Sequence, residues 1–350
     1  MAQFGYCAIT GVDELMGYAI AYHFLKSFQR KDMKKKIRIK LICQSRQHLE
    51  HLESMGGELV ETDYHDQAQL ERELRGVEYL VFIPQMAENA ICLGMNVLHA
   101  AADCEVNYVA MVSCLGTDMI ARGDGKRWPM HQQLYCLEQL MKRSFDEESY
   151  CIFQVPMLAE VFFFLTPMVQ EQNKLRMPVD QERKFAMLSL HDIVQGVYRL
   201  SIEQDTTSPS FASRFLWILN KQQKNQTLFQ FTPREPENAS NMASHMAKGL
   251  EIGHDFSFER IEPHNMKDYL KRMRDDHRFQ QRLPIKETFA HPLASYLSDA
   301  CIQILLEAWD MADQGYLDKH TDDLERALGH PPQDLIHFFQ SNRNSFDQLK

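Results

Sequence analysis

The residues with the clearest chemical potential come early in the chain. Thr10-Gly11-Val12-Asp13-Glu14-Leu15-Met16-Gly17 follows a short apolar run and opens a helical pattern. Glycines at a strand-to-helix turn let backbone N–H groups approach a phosphate, and a helix N-terminus favours negative charge. Gly11 and Gly17 suit that role, with Val12, Glu14, Leu15 and Met16 lining the same turn. Two glycines so spaced also suit a tight turn that binds nothing, and the turn alone does not separate these readings. Asp13 and Glu14 work against a phosphate. Carboxylates at a helix start can take its free N–H groups for themselves, and they would repel a pyrophosphate by about 1–4 kcal/mol. Either can also act as a plain helix cap. In both cases a dinucleotide site here is weakened or lost.

A second group follows the next apolar run: Gln44, Ser45 and Arg46. An acid at this position reads the 2′-hydroxyl of NAD, whereas an arginine accommodates a 2′-phosphate. With no acid and Arg46 at hand, any dinucleotide bound is expected to be NADP(H); a surface arginine at a helix start is the plainer alternative. Further on, His131 and Tyr135 stand four residues apart, which puts both side chains on one helix face. They could hydrogen-bond a ligand, and a histidine can titrate near neutrality. His48 and His51 also share a face but lack a third ligand, so no metal site is expected. The run Phe162–Phe164 and Met130, Met157 and Met168 suit core packing, with a cleft lining as the alternative.

The elements that would hold these residues alternate. Strand-like segments at Gly5–Thr10, Ile37–Cys43, Glu58–Val60, Tyr79–Ile83, Tyr108–Ser113 and Cys151–Val155 are separated by helical patterns. Those helices are read at Gly17–Phe28, Gln47–Met55, Asp66–Leu74, Asn89–Cys104 and His131–Arg143. This rhythm predicts a parallel sheet covered by helices on both faces. The Gly- and Pro-containing stretch 116–129 falls after the fifth strand, on the side where open α/β sheets bind ligands. Leu188–Leu190 reads as extended, with Asp192 capping the following helix. From about residue 221 the texture turns polar and then helical, at 238–250, 266–273 and 297–311. The expected division is 1–220 and 221–350.

The bulk numbers narrow the function. With 350 residues, 44% hydrophobic and 25% charged, the chain is ordinary globular material. A formal net charge of -10 argues against direct nucleic-acid binding; Lys31, Lys34, Lys35 and Lys36 make a local patch that suits a solvated loop. Residues 1–10 lack the features of a secretory signal, and no apolar stretch is long enough to span a membrane. The eight cysteines show no metal-ligand spacing, so reduced thiols are expected.

Several segments together resemble the NmrA-like family, a branch of the atypical short-chain dehydrogenases. Thr10-Gly11 and Gly17 match the frame of its TGATGxxG loop, and Gly56-Gly57-Glu58-Leu59-Val60-Glu61-Thr62-Asp63 resembles its third strand. The stretch ending in LRGVEYLVF, Ser189-Leu190-His191-Asp192-Ile193, and Thr321 to Pro332 resemble later family segments in the same order. The resemblance implies a Rossmann-like doubly wound parallel sheet with a smaller, mostly helical C-terminal lobe closing the cofactor cleft. It places Gly11, Val12, Glu14, Leu15, Met16, Gly17, Gln44, Arg46, Asp63, Pro84, Gln85, Ser113 and Pro156 along an NADP(H) site. Glu14 stands where the family has its middle glycine.

Short-chain dehydrogenases use a Tyr-x-x-x-Lys pair with a serine, the lysine lowering the tyrosine pKa. By resemblance Ser113, His131 and Tyr135 occupy that region, and Tyr135 replaces the lysine. Lys126 or Lys142 could stand in for it only through the fold. The reading is a non-catalytic NmrA-like regulator, cytoplasmic or nuclear, that binds a protein partner such as a transcription regulator and senses NADP(H) through an impaired loop. The alternative is an NADPH-dependent reductase of a quinone-like or other small carbonyl substrate.

Overall fold

The computed structural model describes residues 5–30, 37–120, 126–202, 226–253, 255–281 and 291–350. Strands β1 (Gly5–Ile9), β2 (Ile37–Cys43), β3 (Glu58–Glu61), β4 (Val77–Phe82), β5 (Tyr108–Cys114), β6 (Tyr150–Val155) and β7 (Leu228–Gln230) form one sheet in the order β7-β6-β5-β4-β1-β2-β3. The ladders of β1 with β2 and β4, of β2 with β3, and of β4 with β5 are parallel. Cys7, Ala8 and Ile9 of β1 and Leu80 and Val81 of β4 are fully buried, as expected of parallel strands covered on both faces. The strand order reverses between β1 and β4. That is the switch point where the loops at the strand C-termini part and leave a crevice.

Four helices alternate with the first five strands: α1 (Leu15–Arg30), α2 (Glu50–Ser54), α3 (Gln67–Leu74) and α4 (Ala90–Asp103). On α1, Tyr18 to Ala21 and then Phe24, Leu25 and Phe28 are buried, so its first turns are enclosed on most sides. Asp66 caps α3 by accepting the Gln69 N–H at 3.0 Å. The second helix is shorter than the 47–55 expected. His48 takes φ of 63°, which a right-handed helix cannot accommodate, so the helix begins only at Glu50.

The chain divides into two compact units that interleave along the sequence. The first takes Met1–Ser113, Gln132–Gln154 and Val194–Phe229; the second takes Cys114–His131, Val155–Ile193 and Gln230–Lys350. A single cut near residue 220 does not describe this division. Residues 114–131 and 155–193 cluster with the C-terminal part, because the loops that follow β5 and β6 carry elements of the second unit.

Within that second unit lie α5 (Thr117–Ile120), the start of α6 (Pro129–Ser144), α7 (Val161–Gln172), the start of α8 (Leu190–Ile202), α9 (Ala239–Leu250), α10 (Pro263–Asp275), α11 (Asp299–Asp313), α12 (Asp323–Leu328), α13 (Leu335–Ser341) and α14 (Arg343–Gln348). The three phenylalanines Phe162–Phe164 are core residues: the Phe163 ring lies 4.6 Å from Phe346 in a tilted pair, and Phe162 lies 5.0 Å from Phe339. Pro167 sits inside α7, and the Tyr269 hydroxyl enters the helix there, donating to the Phe164 carbonyl at 2.8 Å and accepting from the Met168 N–H at 3.3 Å. It takes the place of one rung of the ladder. Met130, Met157 and Met168 are buried.

One expected cap is corrected. The Ser189 hydroxyl, rather than Asp192, caps α8 by accepting the Asp192 N–H at 3.3 Å. The Asp192 carboxylate instead accepts the Gln333 N–H at 2.7 Å, because it lies in the first turn of the helix and not before it. All eight cysteines are free thiols. No described helix is long and apolar enough to cross a membrane. The lysines Lys31 and Lys34–Lys36 lie outside the described residues.

Candidate functional site

The turn between β1 and α1 is tight, and two glycines make it so. Gly11 has φ of 62°, in the left-handed region, and a Cβ on Gly17 would lie 1.9 Å from the Gly11 carbonyl oxygen. The turn therefore requires glycine at both positions. Its polar groups are differently engaged. The Gly11 N–H donates to the Tyr64 hydroxyl at 2.8 Å, and that hydroxyl donates to the Ile42 carbonyl at 3.0 Å. The Val12 N–H reaches the Ile42 carbonyl at 3.4 Å, and the Glu14 N–H donates to the Gly11 carbonyl at 2.9 Å. Burial of Tyr64 raises its phenol well above the usual range, so it stays neutral.

The two carboxylates reach across the crevice to the neighbouring loops. Asp13 Oδ2 accepts the Gln44 N–H at 2.9 Å and the Ser45 N–H at 3.3 Å, and Oδ1 accepts from Gln85 Nε2 at 3.3 Å. Glu14 Oε1 accepts the Met86 N–H at 3.3 Å. Glu14 is half-buried, and burial pushes its carboxyl up to about 7, with Asp13 adding to the rise and the Met86 N–H opposing it. Backbone N–H groups after β2 and β4 are thus held by the protein's own anions. With both carboxylates ionised, the turn does not fit a pyrophosphate, because the N–H groups of Gly11, Val12 and Glu14 have protein partners and its charge is of the wrong sign.

The remaining cofactor candidates are placed as follows. Leu15 and Met16 form the first turn of α1 and are half-buried. Gln44 and Arg46 are exposed after β2, and Arg46 pairs with Glu53 at 2.8 Å. Asp63 is exposed and accepts the His65 N–H at 2.9 Å, shaping the turn into α3. Pro84 and Gln85 are buried after β4. Gly11, Val12, Glu14, Gly17, Gln44 and Gln85 meet around Asp13, all in the first unit, whereas Pro156 belongs to the second unit.

The catalytic candidates part company. Ser113, at 2% exposure, donates to Glu138 Oε1 at 2.6 Å, and Gln154 Nε2 donates to the same carboxylate at 3.1 Å. His131 is 1% exposed, with Nδ1 2.9 Å from Glu307 Oε2. The Glu307 carboxylate also accepts the N–H groups of Met130 and His131 at 3.1 Å, which caps α6 with a negative charge at its positive end. Gln303 Nε2 adds a further donor at 3.1 Å. Tyr135 is half-buried on α6 and has no hydrogen-bond partner among the described residues. Lys142 is exposed in the last turn of that helix, and Lys126 is exposed before it.

Sequence reasoning missed Tyr64, Glu138, Glu307 and Asp310. Asp310 lies one turn beyond Glu307 on α11 and takes Arg127 bidentately at 2.6 Å and Trp128 Nε1 at 2.8 Å. A signal for Glu307 and Asp310 was present: two carboxylates one turn apart inside the largely apolar run Cys301–Met311. The others depend on distant pairings that no local pattern encodes. Among the described residues, no three His, Cys, Asp or Glu side chains are grouped to hold a metal.

No family model matches the sequence, and no curated protein does. Solved structures match over nearly the whole chain. The NADPH-dependent quinone oxidoreductase of Escherichia coli, in complex with NADPH, superimposes with a TM-score of 0.67 at 18% identity, covering 96% of this chain and 99% of its own. The triphenylmethane reductase of Citrobacter sp., complexed with NADP(H), gives 0.68 at 14% identity, with 97% and 99% covered. NmrA, a negative transcriptional regulator, gives 0.61 at 10% identity, with 98% and 97% covered. The fold is that of NmrA and NmrA-like NAD(P)-dependent reductases: a Rossmann-like α/β sheet with a helical C-terminal part.

Proposed function

We propose that this chain is a non-catalytic NmrA-like regulator that binds a protein partner and senses NADP(H) through a dinucleotide site weakened by its own acidic turn. The observation that carries the reading is the seating of Asp13 and Glu14 on the backbone N–H groups of Gln44, Ser45 and Met86. A ligand phosphate has to displace these contacts and meet two carboxylates at close range.

The catalytic candidates add support. A general acid must lie within hydrogen-bond reach of the reacting group at a suitable pKa. His131 is enclosed by Glu307, Ser113 is committed to Glu138, and Tyr135 has no lysine one turn away to activate it. The net charge of -10 favours a protein partner over nucleic acid, and a transcription regulator in the cytoplasm or nucleus suits the likeness to NmrA. The second reading, an NADPH-dependent reductase, is favoured by the unpartnered Tyr135 hydroxyl and by the reductases that share the fold.

Calorimetric titration with NAD+ and NADP+, followed by NADPH oxidation against a panel of quinones, separates the two. The regulator reading expects weak binding and no steady turnover. Quinone reduction above about 1 per second, the low end for enzymes, overturns it; loss of that rate in Tyr135→Phe would then assign the chemistry to the reductase.

A further inference from the structure

We propose that the dinucleotide site is gated by a single proton on Glu14: pyrophosphate enters when this carboxyl is neutral and is excluded when it is ionised. The inference rests on the dinucleotide reading above and adds its regulation.

The geometry distinguishes the two carboxylates of the turn. Asp13 is held by three donors on two loops, the N–H groups of Gln44 and Ser45 and the amide of Gln85. That set gives both Asp13 oxygens a donor. Glu14 has one long hydrogen bond, from the Met86 N–H at 3.3 Å, and a like charge beside it. A carboxylate so weakly compensated is the one whose ionisation is easily reversed. Its burial and the neighbouring Asp13 carry it to about 7, within the range where cells vary.

The surrounding charges do not relieve it. From the β2–α2 loop comes Arg46, which is paired with Glu53 at 2.8 Å. The β3–α3 loop brings Asp63, which binds the His65 N–H, together with the exposed His65 ring and the neutral Tyr64 hydroxyl. The β4–α4 loop carries Glu88, exposed beyond Met86. None of these groups acts appreciably on Glu14, whose only charged neighbour of weight is Asp13.

Protonation removes the negative charge nearest the turn and converts Oε1 and Oε2 from two acceptors into an acceptor and a donor. A neutral Glu14 no longer needs the Met86 N–H, so that donor is released for a ligand oxygen, and the carboxyl hydrogen can itself point at an anion. By linkage, a ligand that binds only the neutral form loses affinity by about tenfold between pH 6 and pH 8 for a group titrating at about 7. Its binding at pH 8 takes up close to one proton.

The test is calorimetric titration of NADP+ at pH 6 and pH 8, into the intact protein and Glu14→Gln. Runs at pH 8 use two buffers of different ionisation enthalpy, which count the protons taken up. The gate predicts that the pH 6 over pH 8 affinity ratio of the intact protein exceeds that of Glu14→Gln by about tenfold, and that at pH 8 the intact protein takes up about one proton more than the variant. Titration of the 2′-phosphate of the ligand acts on both proteins alike and cancels in the comparison. Measurable binding with the same pH response in both proteins overturns the gate and leaves the dinucleotide site standing. No binding by either protein at either pH overturns the site and the gate together. If Glu14→Gln does not fold, proton uptake by the intact protein decides: none at pH 8 overturns the proposal.

Discussion

Two places in the molecule solve one problem in opposite ways. At α6 and α8, the first backbone N–H groups are met by carboxylates from distant elements: Glu307 of α11 for Met130 and His131, and Glu160 before α7 for Leu190. These sites are closed, with Glu307 at 3% and Glu160 at 7% exposure. At the β1–α1 turn the carboxylates are the turn's own, and they reach outward to the loops after β2 and β4. A helix start that borrows an anion spends its donors on folding. A turn that supplies its own anions at an open crevice keeps them within reach of a competitor. The same electrostatics closes a helix start in one place and, in the function proposed above, leaves a displaceable anion in the other.

The comparison breaks first at Glu307. Replacing it with Ala leaves His131 and the α6 N-terminus without a partner in a closed interior. The expected loss is about 3–5 kcal/mol, as for other buried pairs that lose one member. Urea denaturation of Glu307→Ala measures it. A loss below about 1 kcal/mol would mean that the pair is replaceable by water, and that the enclosure of His131 is looser than its geometry implies.

Glu160 sharpens it. Burial pushes this carboxyl up to about 7, the Leu190 N–H opposes the rise, and Asp192 adds to it. The folded pKa lies above the unfolded value of 4.5, so the folded state holds its proton more tightly. That contribution to stability is full below pH 4.5 and is lost as pH rises through 7. Its size across the window is about 3 kcal/mol. Denaturation midpoints from pH 5 to pH 8 should fall more steeply in the intact protein than in Glu160→Gln. Parallel curves would show that the group titrates normally in the fold.

The open turn is tested by Glu14→Gly, which removes a carboxylate and restores the residue that the family frame has there. Affinity for NADP(H) should rise by about ten- to a hundredfold, or 1–3 kcal/mol. Stability should fall by about 1 kcal/mol through loss of the Met86 contact and the greater backbone freedom of glycine. Affinity and melting temperature then move in opposite directions. Micromolar binding by the intact protein, unchanged in the variant, would mean that the turn tolerates the carboxylate.

How far the sequence carried these sites follows from what is local. The strand and helix alternation was legible because burial repeats every two or 3.6 residues, and β1, β2 and β5 fall where the apolar runs lie. The glycines at 11 and 17 announced a tight strand-to-helix turn, with the two acids between them. The partners of Asp13 and Glu14 were not legible, since Gln44, Ser45 and Met86 approach only through the sheet order. The same holds for Ser113, read from the resemblance as a catalytic candidate, whose tie to Glu138 depends on where β5 sets it against α6. The interleaving of the two units was hidden as well, because composition changes only near residue 221 while the second unit takes in residues from 114 onward.

Arg46 gives the smallest expected effect on stability and the finest test of the open turn. It is exposed and pairs with Glu53, itself about half exposed, so the pair contributes less than about 1 kcal/mol. Arg46→Ala should leave the denaturation midpoint nearly unchanged. Its effect on ligand choice is larger in principle. The Gln44 and Ser45 N–H groups beside Arg46 are held by Asp13, so a 2′-phosphate arriving there depends on the guanidinium for charge compensation. To meet it, Arg46 has to leave Glu53, which a doubly charged phosphate can induce at an exposed site. The intact protein is therefore expected to prefer NADP+ over NAD+, and Arg46→Ala to lose that preference by weakening NADP+ alone. Equal affinity for both dinucleotides in the intact chain would sink the assignment. It would mean that Glu53 keeps its arginine, and that the loop after β2 is closed to the ligand by the same kind of internal pairing that closes α6.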